Sequence, residues 1–313
     1  MVALAHHYRL AGAAAAPEKV LDYALRAAAA ATAVFAWGDA TAHLQAALEL
    51  LDARGPGDDE QRCDLLLALG ESQRRAGDRR AARATLQEAI AVARTLGAAE
   101  RLGQAVLSLV GLWGMDVESE AATPALLEEA LRVLPPSDSG LRASLLARLA
   151  LALDTAVRFG RPPLDLVRSR ALAEEAVAMA RRLGDLRALL NGLTALQATL
   201  RHSQHVEQRL AIARECLRLA EAADEREWLM DGYKVLLDAL LEQGDRESFD
   251  AEFAGYERLV AALRQPRYEW ALVLKRAMVA VLDGRLAAGE ELAVEAQRLG
   301  QLARGPGTAG HYA

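Results

Sequence analysis

Few side chains in this sequence stand at spacings that chemistry requires. His6 and His7 are adjacent, so on a helix they point about 100° apart and cannot chelate one ion together. His202 and His205 are three residues apart and could share a helix face. No third ligand arrives at a spacing that would complete a tetrahedral site. The carboxylate pairs Glu174-Glu175 and Glu290-Glu291 lie among Ala and Arg. They read as solvated faces or salt-bridge partners, not as an acid/base pair. Cys63 and Cys216 are isolated and form no CxxC, which suits buried thiols in a reducing compartment. The signatures HExxH, GxSxG and GxxxxGK[ST] are all missing. The expectation is a non-catalytic chain with no metal, no cofactor and no catalytic residue.

Bulk properties narrow the partners. Hydrophobic residues make up 52% of the 313, mainly Ala and Leu, and aromatics only 4%. That mix favours close-packed helices, because both residues are strong helix formers and Ala lets helices approach. Alternating β-branched runs and Asn-Gly hairpins are missing. The formal charge is −6 and the pI about 5.6, which opposes the clustered basic face of a direct nucleic-acid binder. No uncharged apolar run reaches the roughly 18 residues a membrane span needs. The first ten residues, with His6, His7 and Arg9, are no signal peptide. The expected location is the cytoplasm.

The elements follow from a recurring turn. Glycine followed by an acidic or basic residue occurs at Gly38-Asp39, Gly77-Asp78, Gly160-Arg161, Gly244-Asp245 and Gly284-Arg285. The first two are 39 residues apart and the last two 40, while Gly160 lies 83 and 84 from its neighbours. A period of roughly 40 residues built from two helices marks a stacked helical repeat. Such a fold presents a long surface, which favours binding over chemistry. The expected pairs cover 17–51, 59–96, 98–134, 140–183, a fifth opening at Gly184-Asp185, 226–263 and 266–303, after a short helix over 1–10. Turns are expected at Gly38, Gly77, Trp113–Asp116, Gly160–Pro163, His202–His205, Gly244 and Gly284. Pro135-Pro136 and the loop 54–58 punctuate the series. The whole reads as one domain over 1–303, all-α, a right-handed superhelical solenoid of about seven antiparallel hairpins. A disordered tail over 304–313 follows.

The sharpest pattern is in the second pair: Leu69, Gly70, Gln73, Gly77, Asp78, Ala82, Leu86 and Ala89. Gly70 and Ala82 are small enough for the two helices to touch, and Leu69, Leu86 and Ala89 fill the stripe between hairpins. This resembles the tetratricopeptide repeat (TPR), with Gln73 where a tyrosine is usual. Ala40, Leu44 and Ala47 repeat part of the pattern in the first pair, and Phe249, Phe253 and Tyr256 give a bulkier version in the sixth. Trp37, Trp113, Trp228 and Trp270 fall near helix ends, where packing between repeats is expected.

A second resemblance covers most of the chain. Leu4-Ala5-His6-His7-Tyr8, Glu18 to Ala24, Ala173 to Asp185, Leu240 to Asp245 and Leu263 to Trp270 are similar to the C-terminal repeat region of large bacterial regulators. Those are STAND-class signal-transduction ATPases, including LuxR-type activators, particularly from actinobacteria. The resemblance implies a sensor or interaction region of a signalling or transcription regulator, with the ATPase module elsewhere in a larger parent chain. The alternative is a stand-alone TPR scaffold that binds one protein partner.

In tetratricopeptide repeats the first helix of each pair lines the concave face. Aligned on the turn glycine, the resemblance puts Asp64, Leu67, Glu71, Arg74 and Arg75 on that face. It adds Asp154 and Arg158 from the fourth pair and Asp231, Lys234, Asp238 and Glu242 from the sixth. Leu67 and Glu71 stand where a Lys/Asn carboxylate clamp would need its donors, which argues against that ligand. A mixed acid/base groove suits a peptide, a protein helix or a small polar effector. Reversing Arg74 and Arg75 is expected to leave folding nearly intact, within about 0.5 kcal/mol for exposed positions.

Overall fold

A computed structural model describes residues 17–55, 57–110, 123–155, 165–200, 203–263 and 265–304. All of these are helix, turn or irregular backbone, with no strand among them. The expected helix over 1–10 with His6 and His7, the Trp113 turn, Arg158, the Gly160 turn, His202 and the tail over 305–313 lie outside the described residues.

The chain divides into two compact units, 1–199 and 200–313. The first holds α1 (Pro17–Ala33), α2 (Trp37–Asp52), α3 (Asp59–Ala76), α4 (Arg79–Leu96), α5 (Ala99–Val110), α6 (Thr123–Val133), α7 (Gly140–Thr155), α8 (Leu166–Leu183) and α9 (Leu186–Thr199). The second opens with a 3-10 turn (Ser203–His205). It continues with α10 (Val206–Ala222), α11 (Arg226–Gln243), α12 (Arg246–Leu263), α13 (Pro266–Leu282) and α14 (Leu286–Arg304).

The glycine-acid pair is a double cap. Gly77 takes φ 90°, and its N–H donates to the Arg74 carbonyl (3.2 Å) while the Asp78 N–H donates to the Gln73 carbonyl (2.9 Å). This left-handed closure satisfies carbonyls that α3 would otherwise leave bare, and it favours a residue without a Cβ. The Asp78 carboxylate then accepts from the Ala81 N–H (2.9 Å) and opens α4. Gly184-Asp185 and Gly244-Asp245 repeat both halves of the device.

Gly38 does not, which corrects the expected first turn. It lies inside α2, and the chain reverses over Val34, Phe35 and Ala36 instead, with Phe35 at φ 59°. The Ala36 N–H closes α1 on the Ala31 carbonyl at 2.9 Å. The link from α10 to α11 likewise uses a non-glycine residue, Asp224 at φ 51°. Short polar residues tolerate that region better than Phe.

Close approach then builds the hairpins. A Cβ placed on Gly70 would stand 2.6 Å from the Leu86 side chain. Glycine therefore lets α3 and α4 touch, and the same contact joins Gly232 of α11 to Leu217 of α10 at 2.8 Å. In the first unit one apolar core runs from Leu21 and Ala28 through Leu48, Leu66, Ile90 and Val106 to Leu145 and Leu153. A second, Ala-rich core joins α7, α8 and α9 around Ala147, Ala176 and Ala188. In the second unit Leu237, Phe249, Tyr256 and Val260 centre the core, with Phe249 and Phe253 rings stacked at 5.3 Å. Fully buried alanines such as Ala89, Ala147 and Ala176 sit in these cores, as their abundance implied.

Candidate functional site

In the first unit, α3, α5, α7 and α9 lie side by side as a layer. Polar bonds stitch neighbouring members together. Arg101 on α5 forks onto the Asp64 carboxylate of α3 (2.7 and 3.0 Å). Arg148 on α7 donates to the Val110 carbonyl at the end of α5 (2.9 Å). Asn191 on α9 donates to the Ser144 hydroxyl of α7 (3.4 Å). A Cβ on Gly103 of α5 would meet Leu141 of α7 at 3.0 Å, so the layer is packed as well as bonded. This is the layer on which the tetratricopeptide resemblance had placed the binding residues.

A second charge cluster on it surrounds Glu71. Arg74 donates two hydrogen bonds to that carboxylate (2.8 and 2.7 Å), and Arg75 adds a third (2.7 Å). Burial alone would lift the Glu71 carboxyl. The two arginines outweigh it through those bonds and their charges, and hold it below the ordinary carboxylate range. Arg75 also lies over the Trp37 ring, 5.0 Å from its centroid. Trp37 is itself edge-on to exposed Phe35, with ring centroids 6.0 Å apart. The anchor beneath is Ser72, buried, which donates to the Trp37 carbonyl (3.1 Å) and lies 3.0 Å from the Thr41 hydroxyl. The result is a shelf at the α2–α3 junction with aromatic faces and two partly exposed guanidinium groups.

Arg148 is different in kind. Only 4% of it is exposed, its Nε has no hydrogen-bond partner, and no carboxylate among the described residues pairs with it. Burial, together with the nearby charge of Arg74, pushes its pKa down to about 9. It therefore remains charged at neutral pH. A buried cation without a counter-ion is costly to keep.

The other expected site residues fall into separate settings. Leu67 is half-buried and packs on the first core. Asp154 is buried at 3% exposure. In the second unit, Asp231 is half-buried and Lys234 exposed. Asp238 accepts from Lys275 of α13, and Glu242 accepts from the buried Arg209 of α10. The structure thus gathers Glu71, Arg74 and Arg75 into one cluster and sets Asp64 beside Arg101. It ties Asp238 and Glu242 to cations on adjacent helices. Arg148 and Arg101 were missed by sequence reasoning, which read Trp37 as packing between repeats. The available signal for Arg148 was a single cation within the apolar run Leu145-Leu146-Ala147-Arg148-Leu149-Ala150-Leu151.

Elsewhere in the first unit an open cleft of about 390 Å³ lies among α6, α7 and α8. Leu131, Leu149 and Leu172 line it, and the Arg168–Glu128 ion pair (2.7 Å) is on its wall. Both cysteines are free and buried. Burial pushes the Cys216 thiol up to about 12, with help from Glu215 and Asp231, so it is a poor nucleophile. No described helix is long and apolar enough to cross a membrane.

No protein-family model matches this chain, and neither does any curated protein. Solved structures do. A STAND signal-transduction ATPase with a tetratricopeptide-repeat sensor, from Pyrococcus horikoshii, is similar over 90% of this chain at 11% identity and a TM-score of 0.59. The chain spans only 42% of that protein's length. A Rap protein, solved in complex with competence and sporulation factor, is similar over 89% of this chain and 78% of its own, at 14% identity and TM-score 0.55. At such identities the likeness establishes the fold. The chain is an all-α helical-repeat protein, a TPR-like α solenoid.

Proposed function

We propose that this chain is a non-catalytic binding region that receives a protein or peptide partner, or a small effector, on the α3–α5–α7–α9 layer. In the finer form of this reading it is the sensor of a bacterial STAND-type signalling or transcription regulator. An ATPase module of a larger parent chain would respond to occupancy of the layer, and the setting would be cytoplasmic. Coupling of that kind requires that the partner bind two packing states of the repeats with different affinity. The observation that carries the reading is the cluster of Glu71, Arg74 and Arg75 beside exposed Phe35 and Trp37. Arginine and aromatic side chains are the residue types that most often anchor interfaces.

The shared fold with a tetratricopeptide sensor and with a Rap protein supports the same reading. Cross-linking of the tagged full chain in its source cell, followed by mass spectrometry, tests it. Partner cross-links should cluster on α2, α3 and α7, with few on α4 and α6. Cross-links confined to α4, α6 or the second unit would overturn the assignment of the face. Recovery of the ATPase module, in the same chain or as a partner, separates the regulator form from a stand-alone scaffold.

A further inference from the structure

The cleft among α6, α7 and α8 lies at the seam between the two apolar cores of the first unit. Leu131 of α6 and Leu172 of α8 pack against both cores, and Leu149 of α7, only 1% exposed, belongs to the first. The floor is therefore held in place by packing on both sides. Glu128, Leu131 and Arg132 stand at i, i+3 and i+4 on α6, and Arg168 and Leu172 at i and i+4 on α8. Each helix thus turns one face to the cleft. Its volume of about 390 Å³ suits a small molecule, since such sites typically span about 300–1,000 Å³ with apolar walls and a few placed polar groups.

Three charged side chains line the cleft, and two of them pair with each other. Glu128 meets Arg168 at 2.7 Å. The next carboxylate along α6, Glu129, is forked by Arg94 of α4, with both bonds at 2.7 Å, and Arg132 acts on it only through its charge. Arg132 itself makes no hydrogen bond or ion pair among the described residues, and it lines the cleft. Two arginines and one glutamate leave the lining with one positive charge, in a chain whose net charge is −6. An apolar floor with one uncommitted guanidinium at its edge complements a molecule with an apolar body and one negative charge. Inorganic phosphate offers charge without apolar surface, and a cation would meet Arg132.

We propose that this cleft binds a small monocarboxylate with an apolar body, which lies on Leu131 and Leu172 over Leu149 while its carboxylate accepts from Arg132. α6 and α8 are not members of the α3–α5–α7–α9 layer, so this is a second site, and it stands or falls apart from the partner-binding face.

Octanoate is the probe, with octanol, octylammonium, acetate and inorganic phosphate as comparisons. The full chain, labelled at its leucine methyl groups, is titrated with each and followed by NMR. Octanoate should shift the methyl signals of Leu131, Leu149 and Leu172. It should bind at least about fivefold more tightly than octanol or octylammonium, within the strength of one hydrogen bond to a charged group. Arg132→Gln should bring octanoate and octanol to equal affinity while the same methyls still shift. Arg132→Glu should reverse the order, so that octylammonium binds more tightly than octanoate. Arg132 is exposed, so the Arg132→Gln protein should melt near the parent and loss of preference would not be loss of fold. Arg298→Gln changes an exposed arginine in the second unit and should leave octanoate affinity unchanged.

No shift with octanoate, shifts confined to other leucines, equal affinity for octanoate and octanol, or a carboxylate preference that survives Arg132→Gln would each overturn the site. An equal loss of affinity in Arg298→Gln would also overturn it, because it would mark a general attraction of anions to the protein. Acetate or phosphate shifting the same methyls as strongly as octanoate would overturn the apolar part of the assignment.

Discussion

Gly70 and Gly38 both lie inside helices, but a methyl group added to each should act in opposite directions. A Cβ on Gly38 meets nothing within 4 Å, whereas a Cβ on Gly70 stands 2.6 Å from both Cγ and Cδ2 of Leu86. Ordinary carbon contacts lie near 3.5–4.0 Å, so Leu86 must retreat by about 1 Å. Leu86 is only 1% exposed and its branch point is struck as well as its tip. Alanine gains about 1 kcal/mol of helix propensity over glycine, while overpacking costs about 1–3 kcal/mol. The net for Gly70→Ala is a loss of about 1 kcal/mol, or about 2–4 °C in melting temperature. Gly38→Ala, at the start of a helix with open space, should gain a few tenths to about 0.5 kcal/mol.

Leu86→Ala alone should cost about 2–5 kcal/mol. In that background Gly70→Ala should turn from harmful to helpful, because the clashing atoms are gone. The double-mutant cycle should therefore show a coupling of about 1 kcal/mol or more. Differential scanning calorimetry and urea unfolding on the four proteins give the numbers. If Gly70→Ala were as favourable as Gly38→Ala, or additive with Leu86→Ala, the argument that glycine sets the α3–α4 approach would be refuted.

Arg148→Met should stabilise the unliganded chain by about 1–4 kcal/mol, as other replacements of buried charges by apolar side chains have done; thermal melts at neutral pH check it. Glu71 sits below its ordinary range in the folded state, so its contribution is present above that range and is lost as pH falls through the folded value. Melting temperatures of the parent and Glu71→Gln should accordingly differ at pH 7 and converge in acid. Charge reversal at Arg74 and Arg75 would now set three carboxylates within one helical turn, and it should cost more than the few tenths of a kcal/mol expected for bare surface positions. Arg74→Gln with Arg75→Gln is the gentler change, and chemical denaturation should separate the two. Asp238→Ala should lower stability by about 1–2 kcal/mol because it strands Lys275, which is only 13% exposed; the urea midpoint reads this directly.

The turns and the helices they join were largely legible in the sequence. Gly77-Asp78 and Gly244-Asp245 announce themselves because one residue favours left-handed backbone and the next caps a helix. Phe35 and Asp224 turn the chain without glycine, and a search for glycine cannot see them. Gly38 looked equivalent to Gly77 because composition does not report φ. Of the site, Glu71, Arg74 and Arg75 were accessible from helical spacing relative to the turn, and they do form one cluster. Arg148 was not accessible in that way. Its importance comes from what α3 and α5 place around it, and a lone arginine in an apolar helix gives no hint whether its head reaches water. The same holds for Asp238 and Glu242, whose partners Lys275 and Arg209 come from neighbouring helices about 33–37 residues away along the chain.

The central claim is that the α3–α5–α7–α9 layer receives the partner. Affinity purification of the tagged full chain from its source cell, quantified by mass spectrometry, tests it most directly. Three versions are compared: the parent, Arg74→Gln with Arg75→Gln, and Arg94→Gln, which removes the ion pair with Glu129 between α4 and α6. All three should fold. The account expects the specific partner to be depleted at least about fivefold with the α3 variant, equivalent to about 1 kcal/mol, and recovered undiminished with Arg94→Gln. Equal recovery with both variants, or selective loss with Arg94→Gln, would contradict it.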